Sequence, residues 1–169
     1  QATSQAKIAL LKPLVPLSNP VRLVEELAMV DMLSGGRLVV LFLRGTPNVH
    51  RTYDNDPDAS RAMTQEGIDL IVKAWSADES FAWVGDQYQF STVSVWPKPV
   101  QLPHPPILGS GNSEESVRYA AARGMGIAFS FAPPEVVRDG VTLYRSEAAK
   151  VGWQPGPEHV IYCGIAYAV

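Results

Sequence analysis

Apolar residues in this chain follow two rhythms. Val21, Val24, Leu27, Ala28 and Met32 recur at helical spacing, which predicts an amphipathic helix. Leu38 to Leu43, LVVLFL, is apolar without a break, the pattern of a strand covered on both faces. The ends of the helix carry their own signals. Asn19 can cap it, and Pro20 suits its first turn because the missing N–H has no partner there. Gly35 and Gly36 can supply the left-handed residue that stops it. Upstream, Lys7–Leu11 reads as a short strand, and Pro13–Pro20 is a proline-punctuated loop.

The same alternation continues downstream. Arg44–Ala59 reads as a long loop. A helix follows, capped by Ser60 or Asp58, with its stripe at Met63, Gly67, Leu70, Ile71 and Ala74. Phe81–Phe90 predicts a hairpin turning at Gly85-Asp86. Trp96–Pro106, WPKPVQLPHPP, holds too many prolines for a regular element. Then come a strand ending at Ile107 and Leu108, a helix over Ser113–Arg123 and a strand over Gly126–Phe131. A long helix from Pro134 carries Val137, Val141, Tyr144, Ala148 and Val151, and a last strand covers His159–Val169. Strands alternating with helices predict an α/β fold with a parallel sheet and helices outside. An open doubly wound sheet and part of a barrel both fit. The glycine-rich dinucleotide fingerprint is absent, which weakens the first. A complete barrel needs roughly 250 residues, so a chain of 169 would be a piece of one.

Composition narrows the function classes. A net charge of −3 argues against a nucleic-acid surface, which normally shows a basic face. Cys163 is the single cysteine, so no internal disulfide forms, and a reducing, cytoplasmic setting fits. No apolar run is long enough to span a bilayer. The start, QATSQAKIALL, lacks a signal peptide's charged head and apolar middle. It also lacks an initiator methionine, and the expectation is a chain that begins inside a larger protein.

Two segments can carry chemistry. In Leu108–Ser116, LGSGNSEES, a strand ends, small residues follow and a helix begins. Free N–H groups at such a start bind phosphate, and Ser110, Asn112 and Ser113 can add hydrogen bonds. The plainer alternative is that Asn112 or Ser113 only caps the helix. Glu114 and Glu115 suit the helix dipole but would repel a phosphate unless turned outward. Arg44 ends an apolar strand, where parallel α/β folds place ligands. It can grip a phosphate with two hydrogen bonds or simply be solvated. Gly45 beside it permits close approach. Arg37, at the other end of that strand, has a structural role. His50, His104 and His159 lack ligand spacing, so no metal site is expected. His50 reads as a solvated loop residue that could face a site, and Cys163 as core rather than nucleophile. Trp75 reads as core, with Trp83 and Trp96 flanking the hairpin.

Taken together, these segments resemble the bacterial luciferase-like monooxygenase superfamily over almost the whole chain. NPVRLVEELAMVDMLSGGR resembles its third-helix signature and LFLRGT the end of its fourth strand. Arg61 with Ile68 and Trp75 resembles its fourth helix. Gly85, Tyr88 and Phe90 followed by WPKPVQLPHPPI resemble its insertion and fifth strand. GSGNSEES with Ala120–Gly124 resembles its phosphate-side helix.

The resemblance implies a (β/α)8 TIM barrel of the luciferase-like type, of which strands 3–7 are present. Residues 1–169 would be one partial barrel domain, with a hairpin and proline-rich insertion at about 78–106. It implies a flavin-dependent monooxygenase that activates O2 on reduced FMN and oxidises a small organic substrate. The reduced flavin would come from a flavin reductase or NAD(P)H, and the full-length protein would be a homodimer. In FMN-binding members the strand-four arginine and the serine-containing turn hold the phosphate, which carries over to Arg44, Gly45, Thr46, Ser110, Gly111, Asn112 and Ser113. Ser130 and Phe131 match positions near the isoalloxazine ring. A non-proline cis peptide would fall near Leu11-Lys12. Leu43 stands where the light-emitting luciferases carry a reactive cysteine, which favours an oxidoreductase relative over a light emitter. No catalytic base is assigned, because the family's histidine lies in a part this chain does not include. An F420-dependent oxidoreductase of the same fold, and a non-catalytic flavin-binding or inactive fragment, are the alternatives.

Overall fold

The computed structural model describes residues 3–11 and 13–165. The chain divides into two compact units, 1–105 and 106–169. In the first, strand β1 (Ile8–Leu10) pairs in parallel with β2 (Leu38–Leu41), Ile8 opposite Leu38 and Leu10 opposite Val40. Helix α1 (Pro20–Ser34) connects them. Its cap is as expected: the Asn19 side chain accepts from the N–H groups of Val21 and Arg22. Gly35, at φ 72°, ends it in the left-handed region.

The buried face of α1 differs from the predicted stripe. Leu23, Val24, Leu27 and Ala28 are buried, but Met32 is exposed and its place in the core is taken by Asp31 and Ser34. The reason is polar. Asp31 accepts from the backbone N–H groups of Val100 and Gln101 at 2.8 and 3.0 Å and from the Gln101 side chain at 2.7 Å. A carboxylate with three donors can be buried, whereas an unpaired one could not. Asp31 thus pins the irregular proline-rich segment to α1. The role of Arg37 is structural, as expected. It donates to the carbonyls of Ser34 and Ala6 at 2.8 Å each.

A short helix α2 (Pro47–Thr52) stands where the sequence reads as loop, capped by Thr46 with Pro47 in its first turn. Helix α3 (Ser60–Ser76) packs on α1. Neither expected cap is used. Ala59 takes the cap position without a side-chain bond, and Ser60 lies inside the helix, donating to the Pro57 carbonyl. Gly67, Leu70, Ile71 and Ala74 of the predicted stripe are buried, as is Trp75, while Met63 is half-buried and Ile68 joins the core. Trp75 donates its indole N–H to the Val24 carbonyl at 3.1 Å, locking the two helices. Lys98 closes the end of α3, donating to the carbonyls of Ala74 and Ala77.

Strands β3 (Phe81–Val84) and β4 (Gln89–Val93) form the antiparallel hairpin, with a register shift between Phe81 and Trp83. Glu66 of α3 holds it. Its carboxylate accepts from the Trp83 indole and from the N–H groups of Gln87 and Tyr88 at 2.9–3.1 Å. Burial works against ionisation of Glu66, but those hydrogen bonds, with one from Asp86, outweigh it and keep the carboxyl below its ordinary range. The Lys73 ammonium lies 4.4 Å above the Phe81 ring, a cation–π contact.

In the second unit, β5 (Ile107–Ser110), β6 (Gly126–Ser130) and β7 (Val160–Cys163) run parallel in that order. Helices α4 (Glu114–Ala122) and α5 (Pro134–Lys150) connect them and pack together. Ile127 and Phe129 are fully buried. On α5 only Tyr144 and Ala148 are buried, while Val137 and Val141 are half-buried and Val151 is exposed. Tyr144 donates to the Met125 carbonyl at 2.6 Å, and burial drives its phenol above the ordinary range. The last strand ends at Cys163, Gly164 and Ile165 are irregular, and the rest of the predicted stretch, 166–169, lies outside the described residues, as does Lys12 of the expected cis peptide. Among the described residues no helix is long and apolar enough to cross a membrane.

Candidate functional site

In the first unit the candidate residues sit just past β2. Leu43 extends the strand, donating to the Pro13 carbonyl and accepting from Val15 N–H. The chain then turns at Arg44, Gly45 and Thr46. Arg44 is exposed and pairs with no carboxylate or other acceptor among the described residues. A guanidinium carries five donors in a planar fork, so this one is free for an external acceptor. Gly45 has φ 101°, which a side chain would not tolerate. The Thr46 hydroxyl accepts from Val49 N–H at 3.5 Å, as the cap of α2.

His50 is the residue the sequence misplaces. It is helical, and only 2% exposed, rather than solvated. Its ring lies under Gly45, with Nε2 3.1 Å from the point a Cβ there would occupy. Neither ring nitrogen has a hydrogen-bond partner among the described residues. A buried polar group left in that condition costs about 1–3 kcal/mol. The sequence signal was present: Thr46 followed by Pro47 is a helix start, and four residues on, His50 returns to the same side.

In the second unit the structure gathers Ser110, Gly111, Asn112, Ser113 and Ser130 at the carboxyl ends of β5 and β6. Much of their hydrogen-bonding capacity is used internally. Ser113 caps α4, accepting from Ser116 N–H at 3.4 Å and donating to the Ser116 hydroxyl at 2.9 Å. Asn112 bonds both backbone groups of Ser130, and Ser110 accepts from Asn112 N–H at 3.3 Å. Gly111 is required by packing. A Cβ there would lie 2.7 Å from the Phe129 ring, and Gly140 meets the same ring from α5. The glycine therefore admits Phe129 rather than an approaching ligand. Phe131, next to Ser130 and 67% exposed, is held at φ 53°, a left-handed conformation that costs an aromatic residue roughly 1–2 kcal/mol.

A cleft of about 400 Å3 opens beside this turn, lined by Asn112, Ser113, Val117 and Arg118 and by Val136 and Leu143 of α5. Two carboxylates, Glu114 and Asp139, also line the cleft; the Glu114 side chain is 81% exposed and pairs with Arg118 at 3.6 Å. Arg118 also meets Glu147. The Lys150 hydrogen bond, with Arg118's charge, keeps the Glu147 carboxyl below its ordinary range. Arg118 is thus engaged, unlike Arg44. Cys163 is half-buried and its carbonyl accepts from Phe131 N–H at 2.9 Å.

The family model described as luciferase-like monooxygenase matches residues 1–168. The chain is 34% identical over 148 residues to the protein y4wF of Sinorhizobium fredii, covering 87% of this chain and 43% of that one. It is 30% identical over 109 residues to the FMNH2-dependent dimethylsulfone monooxygenase of Pseudomonas putida, covering 62% and 30%. The crystal structure of the monooxygenase RslO1 from Streptomyces bottropensis superposes with a TM-score of 0.87 at 30% identity, covering 95% of this chain and 50% of that one. The chain spans half or less of the length of these relatives. The fold is a partial (β/α)8 barrel of the luciferase-like type, which removes the doubly wound alternative.

Proposed function

Because the chain belongs to the luciferase-like monooxygenase family, we propose that the whole protein is an FMN-dependent monooxygenase that oxidises a small organic molecule with O2. The observation that carries this reading is Arg44. It is an exposed guanidinium without a partner among the described residues, at the carboxyl end of a parallel strand, on a turn whose glycine has φ 101°. Parallel α/β folds place ligand chemistry at that end, and a planar fork suits a phosphate monoester.

The residues present fit the group. In the first unit Arg44, Gly45 and Thr46 would serve its phosphate; the second unit, taken by itself, offers polar groups suited to such a cofactor at Ser110, Asn112, Ser113 and Ser130, while Gly111 makes room for Phe129. Their parts differ. Arg44 supplies charge, and Ser110 can donate its hydroxyl. Ser113 and Asn112 fix the turn and leave first-turn N–H groups of α4 available. The exposed ring of Phe131 offers a flat apolar surface. Reduced FMN, when bound, supplies the electrons that activate O2. The protein's own work is to bind, orient and exclude water. A flavin reductase or NAD(P)H supplies the reduced cofactor, and the protein acts as a cytoplasmic homodimer.

The test is a titration of the full-length protein with FMN, riboflavin and F420. FMN should bind about 10- to 100-fold more tightly than riboflavin, the range expected of a charge-assisted phosphate contact. Arg44→Ala should erase that difference. Preference for F420 would replace this reading with an F420-dependent oxidoreductase, and binding of neither cofactor would end it.

A further inference from the structure

We propose that His50 is a second ligand for the phosphate monoester that Arg44 takes, its imidazole N–H donating to a phosphate oxygen from beneath the Gly45 turn. The inference rests on the reading above but concerns a residue that reading does not use. Three observations support it. The ring is 2% exposed, so water does not serve its nitrogens. Both nitrogens lack a partner among the described residues, although a neutral imidazole always carries one donor and one acceptor. And Nε2 faces the one position of the turn that has no side chain, 3.1 Å from where a Cβ would stand.

A buried donor without an acceptor is destabilising unless something satisfies it in the working state. Two residues of the same turn, Arg44 and Gly45, say what that is. The guanidinium, without a partner among the described residues, calls for an anion, and at Gly45 no side chain stands against the imidazole edge. An anionic oxygen arriving at Arg44 meets both demands. A bare apolar ligand would meet neither.

The experiment uses the full-length protein labelled with 15N-histidine, probed with FMN, riboflavin and inorganic phosphate. FMN and, more weakly, phosphate should shift the His50 ring nitrogen signals, and riboflavin should not. His50→Phe keeps a ring in the space and removes both nitrogens. It should weaken FMN about tenfold, leave riboflavin unchanged and not lower Tm. His50→Gln, which retains a donor, should recover part of the loss. Ring signals unmoved by FMN, or wild-type FMN affinity in His50→Phe, would overturn the proposal. If Arg44→Ala still abolishes the preference for FMN in that case, only the role of His50 fails. If Arg44→Ala also leaves it intact, the phosphate reading fails as well.

Discussion

The Asn112 side chain grips Ser130 on both sides of its backbone: the amide nitrogen donates to the Ser130 carbonyl at 3.1 Å, and the amide oxygen accepts from Ser130 N–H at 3.3 Å. One short side chain thereby ties the end of β5 to the end of β6. Asn112→Ala removes both bonds, and the loss should be about 1–2 kcal/mol in urea unfolding of the full-length protein. Asn112→Asp keeps the acceptor and loses the donor, so it should fall between. Equal stability of all three would show that the clamp contributes nothing.

Glu66 should make the hairpin acid-labile. Its carboxyl is held below the ordinary range in the folded state. A group with a lowered folded pKa adds stability that is complete above its unfolded pKa and vanishes as pH falls through the folded one. The loss therefore belongs below about pH 4.3, the ordinary value for glutamate. Trp83 donates to this carboxylate, and its fluorescence should change in that window. In Glu66→Gln the acid step should be missing, and in Glu66→Ala the turn at Gly85–Gln87 should be cut by protease at neutral pH.

Asp31 should be among the least replaceable polar residues. Substitution by alanine strands three donors, the N–H groups of Val100 and Gln101 and the Gln101 side-chain amide. A cost of roughly 3 kcal/mol or more is expected, read as a lowered urea midpoint. Asp31→Asn, which keeps one acceptor, should cost less. A variant Asp31→Leu as stable as the parent would show that burial alone matters at this position.

Gly111 and Phe129 should couple. Gly111→Ala drives a methyl against the Phe129 ring and should destabilise by about 1–3 kcal/mol. Phe129→Leu alone should also destabilise, by opening space. The double variant should be more stable than the sum of the two losses allows, since contacting residues are not additive. Simple additivity would place the strain elsewhere.

The parts of the fold that were legible in the sequence are those governed by neighbours in the chain. Asn19-Pro20 announces α1, and Ser113 announces α4, because a cap bonds residues two or three positions away. The illegible parts depend on distant partners. Met32 reads as core, and Asp31 is not singled out, until the N–H groups of Val100 and Gln101, 69 and 70 residues on, are known. Gly111 reads as room for a ligand until Phe129 is found filling that room. His50 reads as loop because the helix that buries it is only six residues long, too short to show a periodic stripe. Arg44, just past β2, and the turn at 110–113, at the end of β5, stand at the strand ends where the sequence puts them. The division of labour among Ser110, Asn112 and Ser113 was not legible, because it depends on the backbone of Ser130 and on Ser116.

Phe131 sets a limit on how far this chain can be hardened. Its left-handed backbone at φ 53° suits glycine, and Phe131→Gly would relax that strain while also loosening the unfolded chain. The exchange would discard a broad aromatic face at the mouth of β6. Attempts to raise heat tolerance at this position therefore trade robustness against that exposed aromatic surface.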